Sequence, residues 1–225
     1  MVIGNGLIAS AFERYKNNDD IIIFASGVSN SQETSELAFN REINLMKRYL
    51  NLDKKLIYFS TCSIFDESLD SDYIKHKLNM EHLIENNNKN YIIFRLPNII
   101  GRTTNNNTFF NNIKNKIIND EIITIYLKSI RYLIDIGDVS AILPLIINYN
   151  KVRNQTINVC FDNKMYIIEI IEIMEEILSK KANKILIDKG HNYYVDNSEF
   201  NKFLSYVDLS MEDKNYNKKI LKKYL

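Results

Sequence analysis

Short, continuous apolar runs recur along the chain, and the stretches between them carry helical periodicity. Val2-Ile3, Ile21-Ile22-Ile23-Phe24, Leu56-Ile57-Tyr58-Phe59, Tyr91-Ile92-Ile93-Phe94 and residues 156–160 each read as a strand buried on both faces. Helices are predicted from the first turn to about residue 17, over about 31–50 and over 72–86. Strands that alternate with helices in this way predict an α/β fold built on a parallel, doubly wound sheet. Beyond Gly101 the rhythm loosens. A helix is expected over 108–118, strands over 122–127 and 132–136, and a helix opened by Asp138 and running to about 148. An amphipathic helix follows at 167–178, then a short strand at 184–187. The basic tail, 214–225, reads as a solvated terminal helix. The whole chain, 1–225, is expected to be one domain, with residues about 102–155 and 161–225 contributing a small lobe. That lobe should cover the carboxyl edge of the sheet, where such sheets bind ligands.

Two turns and one longer stretch carry candidate chemistry. Gly4-Asn5-Gly6-Leu7-Ile8-Ala9 joins the first strand to the first helix. Its glycines permit a tight turn and close backbone approach, and the helix start faces whatever anion lies over the turn, as in a phosphate cradle. An ordinary strand-to-helix turn suits the same residues. Ala25-Ser26-Gly27, at the end of the second strand, leaves room for a ligand or simply turns the chain. The stretch from Thr61 to Lys77 holds Tyr73 and Lys77 four residues apart, on one face of a helix. An ammonium beside a phenol favours the phenolate and lowers its pKa toward the range of acid–base work. Thr61 offers a hydroxyl that can share the proton or hold a substrate oxygen. In a chain with 14 tyrosines such a pair also arises as plain helix surface.

Composition narrows the remaining classes. A chain of 225 residues, 45% hydrophobic, can bury one sizeable core. Its net charge of +1, with acids and bases interspersed, supplies no field for nucleic acid or an anionic membrane. The apolar runs fall far short of a membrane span and no leader pattern opens the chain, so a cytoplasmic protein is expected. Two cysteines and three scattered histidines suggest neither a disulfide framework nor a metal site.

Taken in order, the Gly-x-Gly-x-x-Ala turn, Phe24-Ala25-Ser26-Gly27, the run 58–65, Tyr73-x-x-x-Lys77, the run 94–101 and the run 131–139 resemble the extended short-chain dehydrogenase/reductases. More narrowly, they are similar to the branch of nucleotide-sugar epimerases, dehydratases and reductases. The resemblance implies a Rossmann-like sheet, NAD or NADP as cofactor, and a nucleotide-sugar substrate in surface-polysaccharide synthesis. It makes Tyr73 the proton donor or acceptor, Lys77 the group that tunes it and binds the nicotinamide ribose, and Thr61 the catalytic hydroxyl. Gly4, Asn5, Gly6, Leu7, Ile8, Ala25, Ser26, Gly27, Ser60, Leu96 and Pro97 are the implied cofactor contacts. Ser63, Asn98 and Arg131 are the implied substrate contacts. Cys62-Ser63 stands where dehydratases carry an Asp-Glu pair, which points away from dehydration. The glycine turn is one residue short, and two strands and the acidic residues that grip the adenosine ribose are missing. The chain is therefore expected to be a trimmed NAD(P)-dependent epimerase or ketoreductase, or alternatively a non-catalytic nucleotide-binding protein of the same fold. A homodimer is expected through the helices at 31–50 and 72–86, with Leu37, Ile43, Met46, Leu78 and Leu83 as candidate contacts.

Overall fold

The computed structural model describes residues 1–68, 70–204 and 215–225. The chain begins with β1 (Val2–Ile3), α1 (Leu7–Ala11), β2 (Ile21–Phe24), α2 (Glu36–Met46), β3 (Lys55–Thr61), α3 (Asp72–Asn87) and β4 (Tyr91–Leu96). It continues through β5 (Asn98–Ile100), α4 (Phe109–Ile118), β6 (Ile122–Tyr126), β7 (Ile130–Arg131), β8 (Leu133–Asp135), α5 (Ile136–Asn148) and β9 (Gln155–Asn158). It ends with β10 (Met165–Tyr166), α6 (Ile167–Leu178), β11 (Asn183–Ile187), α7 (Ser198–Leu204) and α8 (Tyr216–Tyr224).

Five strands, in the order β1-β2-β3-β4-β9, form the parallel sheet. Side-chain alternation sends Leu56 and Tyr58 to one face, where they join Ile22, Phe24 and Ile93 beneath Met46 of α2 and Met80 and Ile84 of α3. Ile57 and Phe59 go to the other face, with Ile23, Ile92 and Phe94 against Phe12, Val139 and Ile142 of α5, and Phe200 of α7. A sheet covered on both faces needs apolar residues at successive positions, which is why its strands read as unbroken apolar runs. The sheet is the expected doubly wound one. It is also short, because β1 is its edge and no strand lies beyond it among the described residues.

The lobe is made from β6 paired with β11, β7 with β10, and β5 with β8. Helices α4, α6 and α8 close its own core, which includes Ile113, Ile125, Ile170, Met174, Ile220 and Leu221. Among the described residues no helix is long and apolar enough to cross a membrane.

Several elements depart from expectation. The first helix stops at Ala11, and a 3-10 turn over Glu13–Tyr15 swings Phe12 and Tyr15 into the core, with Phe12 and Phe59 centroids 5.3 Å apart. Helix α2 starts only at Glu36, after a segment in which residues 25–29 and Ser31 line the cleft described below. The strand expected at 132–136 is present as β8, and a second short strand, β7, precedes it unannounced. Asp135, not Asp138, opens α5, accepting from Gly137 N–H at 2.7 Å. The tail is not a solvated helix. Although Lys214 lies outside the described residues, α8 buries Ile220 and Leu221. It also docks polar groups on α5: Tyr216 donates to Asp138 at 2.6 Å, and Lys223 and Tyr224 donate to Asp135 at 2.7 Å. Asp135 thus joins the last helix to the start of α5. Asp135→Ala removes the cap and both tail acceptors, and should destabilise the protein by about 2 kcal/mol. The check is a lowered urea midpoint at unchanged slope; an unchanged midpoint contradicts this reading of the junction.

Candidate active site

A cleft of about 430 Å³ lies over the carboxyl ends of β1 to β4. Asn5, Gly6, Leu7 and Ile8 line it after β1, and residues 25–29 after β2. Ser60, Thr61 and Ser63 line it at the end of β3, and Leu96, Pro97, Asn98 and Ile99 after β4. The lobe supplies the opposite wall through Thr103, Asn105, Asn107, Thr108 and Phe109. Asn105 Nδ2 donates to Ser29 Oγ at 3.0 Å, so the two walls touch.

Tyr73 and Lys77 reach this cleft because α3 starts where it does. Ser71 caps the helix by accepting from Ile74 N–H, which puts Tyr73 in the first turn and Lys77 one turn later. Thr61, the last residue of β3, caps the short turn Cys62–Phe65 by accepting from Ser63 N–H at 3.1 Å. All three side chains are buried and line the cleft. The Lys77 ammonium lies 5.9 Å from the centre of the Tyr73 ring.

The electrostatics differ from the simple tyrosine–lysine picture. Burial pushes the Tyr73 phenol up, Lys77 pulls it down, a nearby carboxylate, Glu42, pushes it up, and Thr61 pulls it down; the net direction is upward. The expected influence of Lys77 is present but does not prevail. Lys77 Nζ is turned to Glu42 Oε1 at 3.3 Å and to the Tyr58 hydroxyl at 3.0 Å. Glu42 is itself fully buried, and burial alone would raise its pKa. Lys77, His76, Val28 N–H and Tyr58 reverse that and bring it to about 2.

Most of the candidate residues converge here. Gly4 does not line the cleft: at φ +123°, a conformation glycine alone adopts readily, it brings the end of β1 so close to β2 that an added Cβ would stand 2.4 Å from Ala25 O. Ser60 lines the cleft, but its hydroxyl donates its hydrogen to buried Glu81 at 2.5 Å, which Arg95 also binds. Arg131 stands outside the lining, its guanidinium donating to Ile130 O and packed 5.8 Å from the centre of the Phe109 ring. The β7–β10 pairing holds it there.

Three participants escaped sequence reasoning. Arg41 lines the cleft from α2, and with Lys77 it forms the charged part of a lining that contains no carboxylate among the described residues. Glu42 and Tyr58 hold Lys77 from behind. A signal for Glu42 exists: Phe39, Ile43 and Met46 mark the inward stripe of α2, and residue 42 falls within it.

Comparison with known proteins places the fold. No curated protein matches the sequence. Among solved structures, UDP-glucuronic acid 4-epimerase from Bacillus cereus, in complex with UDP-glucuronic acid and NAD, matches with a TM-score of 0.65 at 18% identity, over 96% of this chain and 79% of that one. dTDP-glucose 4,6-dehydratase from Bacillus anthracis, in complex with NAD, matches with a TM-score of 0.66 at 13% identity, over 96% and 76%. RMD from Pseudomonas aeruginosa, complexed with NADPH, matches with a TM-score of 0.64 at 12% identity, over 99% and 88%. At these identities the likeness is one of fold. The family model described as NAD dependent epimerase/dehydratase matches residues 4–160. That span takes in the cleft from Asn5 to Phe109 and runs past the last strand of the sheet, so the chain belongs to the NAD dependent epimerase/dehydratase family.

Proposed function

We propose that the protein is an NAD(P)-dependent epimerase or ketoreductase acting on a nucleotide-activated sugar. The observation that carries this reading is the convergence of Thr61, Tyr73 and Lys77 on one cleft at the carboxyl ends of the strands, with no carboxylate among the described lining residues. Elimination of water would need an acid–base carboxylate there. Cys62, at the position where dehydratases are expected to carry one, is buried, with a thiol that burial pushes up to about 12.

The residues fit the nicotinamide and pyrophosphate part of the family's cofactor. Gly6 has open space where a Cβ would stand, which lets a ligand approach the backbone after β1. Gly27 leaves room for the Lys77 ammonium, since a Cβ there would stand 2.7 Å from Lys77 Nζ and push it aside. The adenosine part has less to hold it, because β1 is the sheet edge. When bound, the nicotinamide supplies the redox chemistry. Tyr73, kept as a phenol in the free protein, donates its proton to a sugar ketone or accepts one from the corresponding hydroxyl. The Thr61 hydroxyl holds the substrate oxygen, and Lys77, with two of its three N–H groups directed to Tyr58 and Glu42, has one left for a ligand. Arg41 and Lys77 give the cleft a positive lining suited to the phosphates of cofactor and nucleotide sugar.

We also propose a homodimer through α2 and α3, with nucleotide-sugar substrates as the remaining partners and the cytoplasm as the place of action. Met46 is fully buried, Ile43, Leu83 and Leu78 pack against core residues, and Leu37 is 83% exposed. The pairing would thus rest on Leu37 and on polar helix faces. Sedimentation at micromolar concentration should show a dimer that Leu37→Asp weakens; a monomer at that concentration contradicts it.

Tyr73→Phe should reduce single-turnover transfer from reduced cofactor to a nucleotide 4-ketosugar by about a hundredfold to ten-thousandfold while leaving cofactor binding nearly unchanged. Lys77→Met should lose both rate and cofactor affinity, and Thr61→Val mainly rate. Near-normal rates in Tyr73→Phe would leave the non-catalytic reading as the better one.

Cofactor choice is the second check. Without strands to grip the adenosine ribose, discrimination between NAD and NADP should stay under about a hundredfold, or 2.7 kcal/mol. Arg41→Ala should weaken both cofactors by roughly tenfold and flatten the dependence of binding on salt. A strong NAD preference by calorimetry, or an unaffected Arg41 variant, contradicts this account of the cleft.

A further inference from the structure

Glu42 has no part in the chemistry proposed above, yet it is among the most constrained charged side chains in the molecule. Its carboxylate receives donors from β3, from α3 and from a loop. Val28 N–H donates to Oε2 at 2.6 Å, from the loop lining the cleft. His76 Nε2, on α3, lies 2.9 Å from the same oxygen, and its ring stacks on Phe39 of α2 with centroids 4.5 Å apart. The Tyr58 hydroxyl, on β3, donates to Oε1 at 2.7 Å, and Lys77 donates to that oxygen at 3.3 Å. These four donors match the lone-pair capacity of a carboxylate. Gly27 is bare at the point where this cluster meets the cleft, since a Cβ there would stand 3.0 Å from Glu42 Oε1.

We propose that Glu42 is a positioning residue for the reaction: it holds the Lys77 ammonium between its own carboxylate and the Tyr58 hydroxyl, and ties the cleft loop at Val28 to α3. This assignment rests on the reading of Tyr73 and Lys77 as catalytic. Two consequences separate it from a purely structural role. Lys77 does not act on Tyr73 with its full charge, because a carboxylate of opposite sign sits against it. Burial first, with Glu42 adding to it against the pull of Lys77, keeps Tyr73 a phenol in the free protein, ready to act as an acid. The charged or titratable groups facing this phenol are Lys77 on its own helix, Glu42 from α2 and Tyr58 from β3, with the Thr61 hydroxyl hydrogen-bonded to it and His76 completing the shell around Glu42. Removing the negative charge leaves Lys77 unopposed and must move the phenol toward ionisation.

The test is a pH titration of the protein labelled with 13C at tyrosine Cζ, the Tyr73 resonance being identified by its loss in Tyr73→Phe. It requires neither substrate nor turnover, so it can fail while the enzymatic reading stands, and the reverse. Wild-type Tyr73 should titrate above the ordinary tyrosine value of about 10. In Glu42→Gln, which keeps the side-chain shape, Tyr73 should titrate at least about one pH unit lower than in the wild type. In the same variant, cofactor affinity should fall several-fold as the Val28 loop is released. Identical Tyr73 titration in wild type and a folded Glu42→Gln overturns the proposal. If Glu42→Gln does not fold, Glu42→Asp, which draws the carboxylate back from Lys77, is titrated in its place: a Tyr73 titration lower than the wild type's supports the proposal, and an identical one overturns it.

Discussion

An ionised carboxylate survives in a protein interior only when fixed donors and an opposite charge replace its water, and removing either partner of such a pair leaves the other stranded. Glu42 and Lys77 form that pair, and much of the sheet's C-terminal edge is arranged to make it possible. Tyr58 must sit on the α2–α3 face of β3, which fixes the register of the strand. The loop after β2 must present Val28 N–H inward and carry no side chain at residue 27. Helix α3 must begin at Ser71 so that His76 and Lys77 face the carboxylate while Tyr73 faces the cleft. Register, loop and cap are thus three answers to one electrostatic demand.

A second ion pair repeats the arrangement next door. Glu81, one turn further along α3 than Lys77, binds Arg95 of β4 and the Ser60 hydroxyl. Glu42 therefore ties α3 to α2 and β3, while Glu81 ties it to β3 and β4. A helix held along its length by buried charge can present a phenol at a fixed position over the strand ends, the rigidity that acid–base catalysis requires. The lobe meets the same cleft from the far side through a polar contact, Asn105 to Ser29. That contact is exposed, whereas the α3 side is held by buried charge.

The sequence made the sheet legible because a parallel strand covered on both faces cannot hide: each appears as an apolar run, and each run at 21–24, 56–59 and 91–94 is a strand. Tyr73, Lys77 and Thr61 were legible through spacing and position after a strand. Glu42 was not, since a glutamate in a helix reads as surface unless its place in the apolar stripe is weighed. Arg41 was hidden similarly, because its role depends on where α2 lies over the cleft. The position of Arg131 outside the cleft lining was not legible, because β7 is pinned by β10, a two-residue strand with no periodicity to reveal it. The tail was misjudged because α8 is held by Tyr216, Lys223 and Tyr224 meeting Asp135 and Asp138, contacts more than seventy residues apart in sequence.

Family membership and the missing adenosine-side strands pull in different directions. A nicotinamide dinucleotide gains part of its grip from a sheet that here stops at β1, so Arg41, Gly6 and Lys77 must suffice. The most direct measurement is whether the purified protein, denatured and its released small molecules separated by chromatography, carries a nicotinamide dinucleotide, and whether stripped protein rebinds one. The account predicts that NAD or NADP is released, or is rebound with a dissociation constant below about 1 mM, equivalent to roughly 4 kcal/mol of binding. Protein that carries neither dinucleotide and binds neither at millimolar concentration would contradict it.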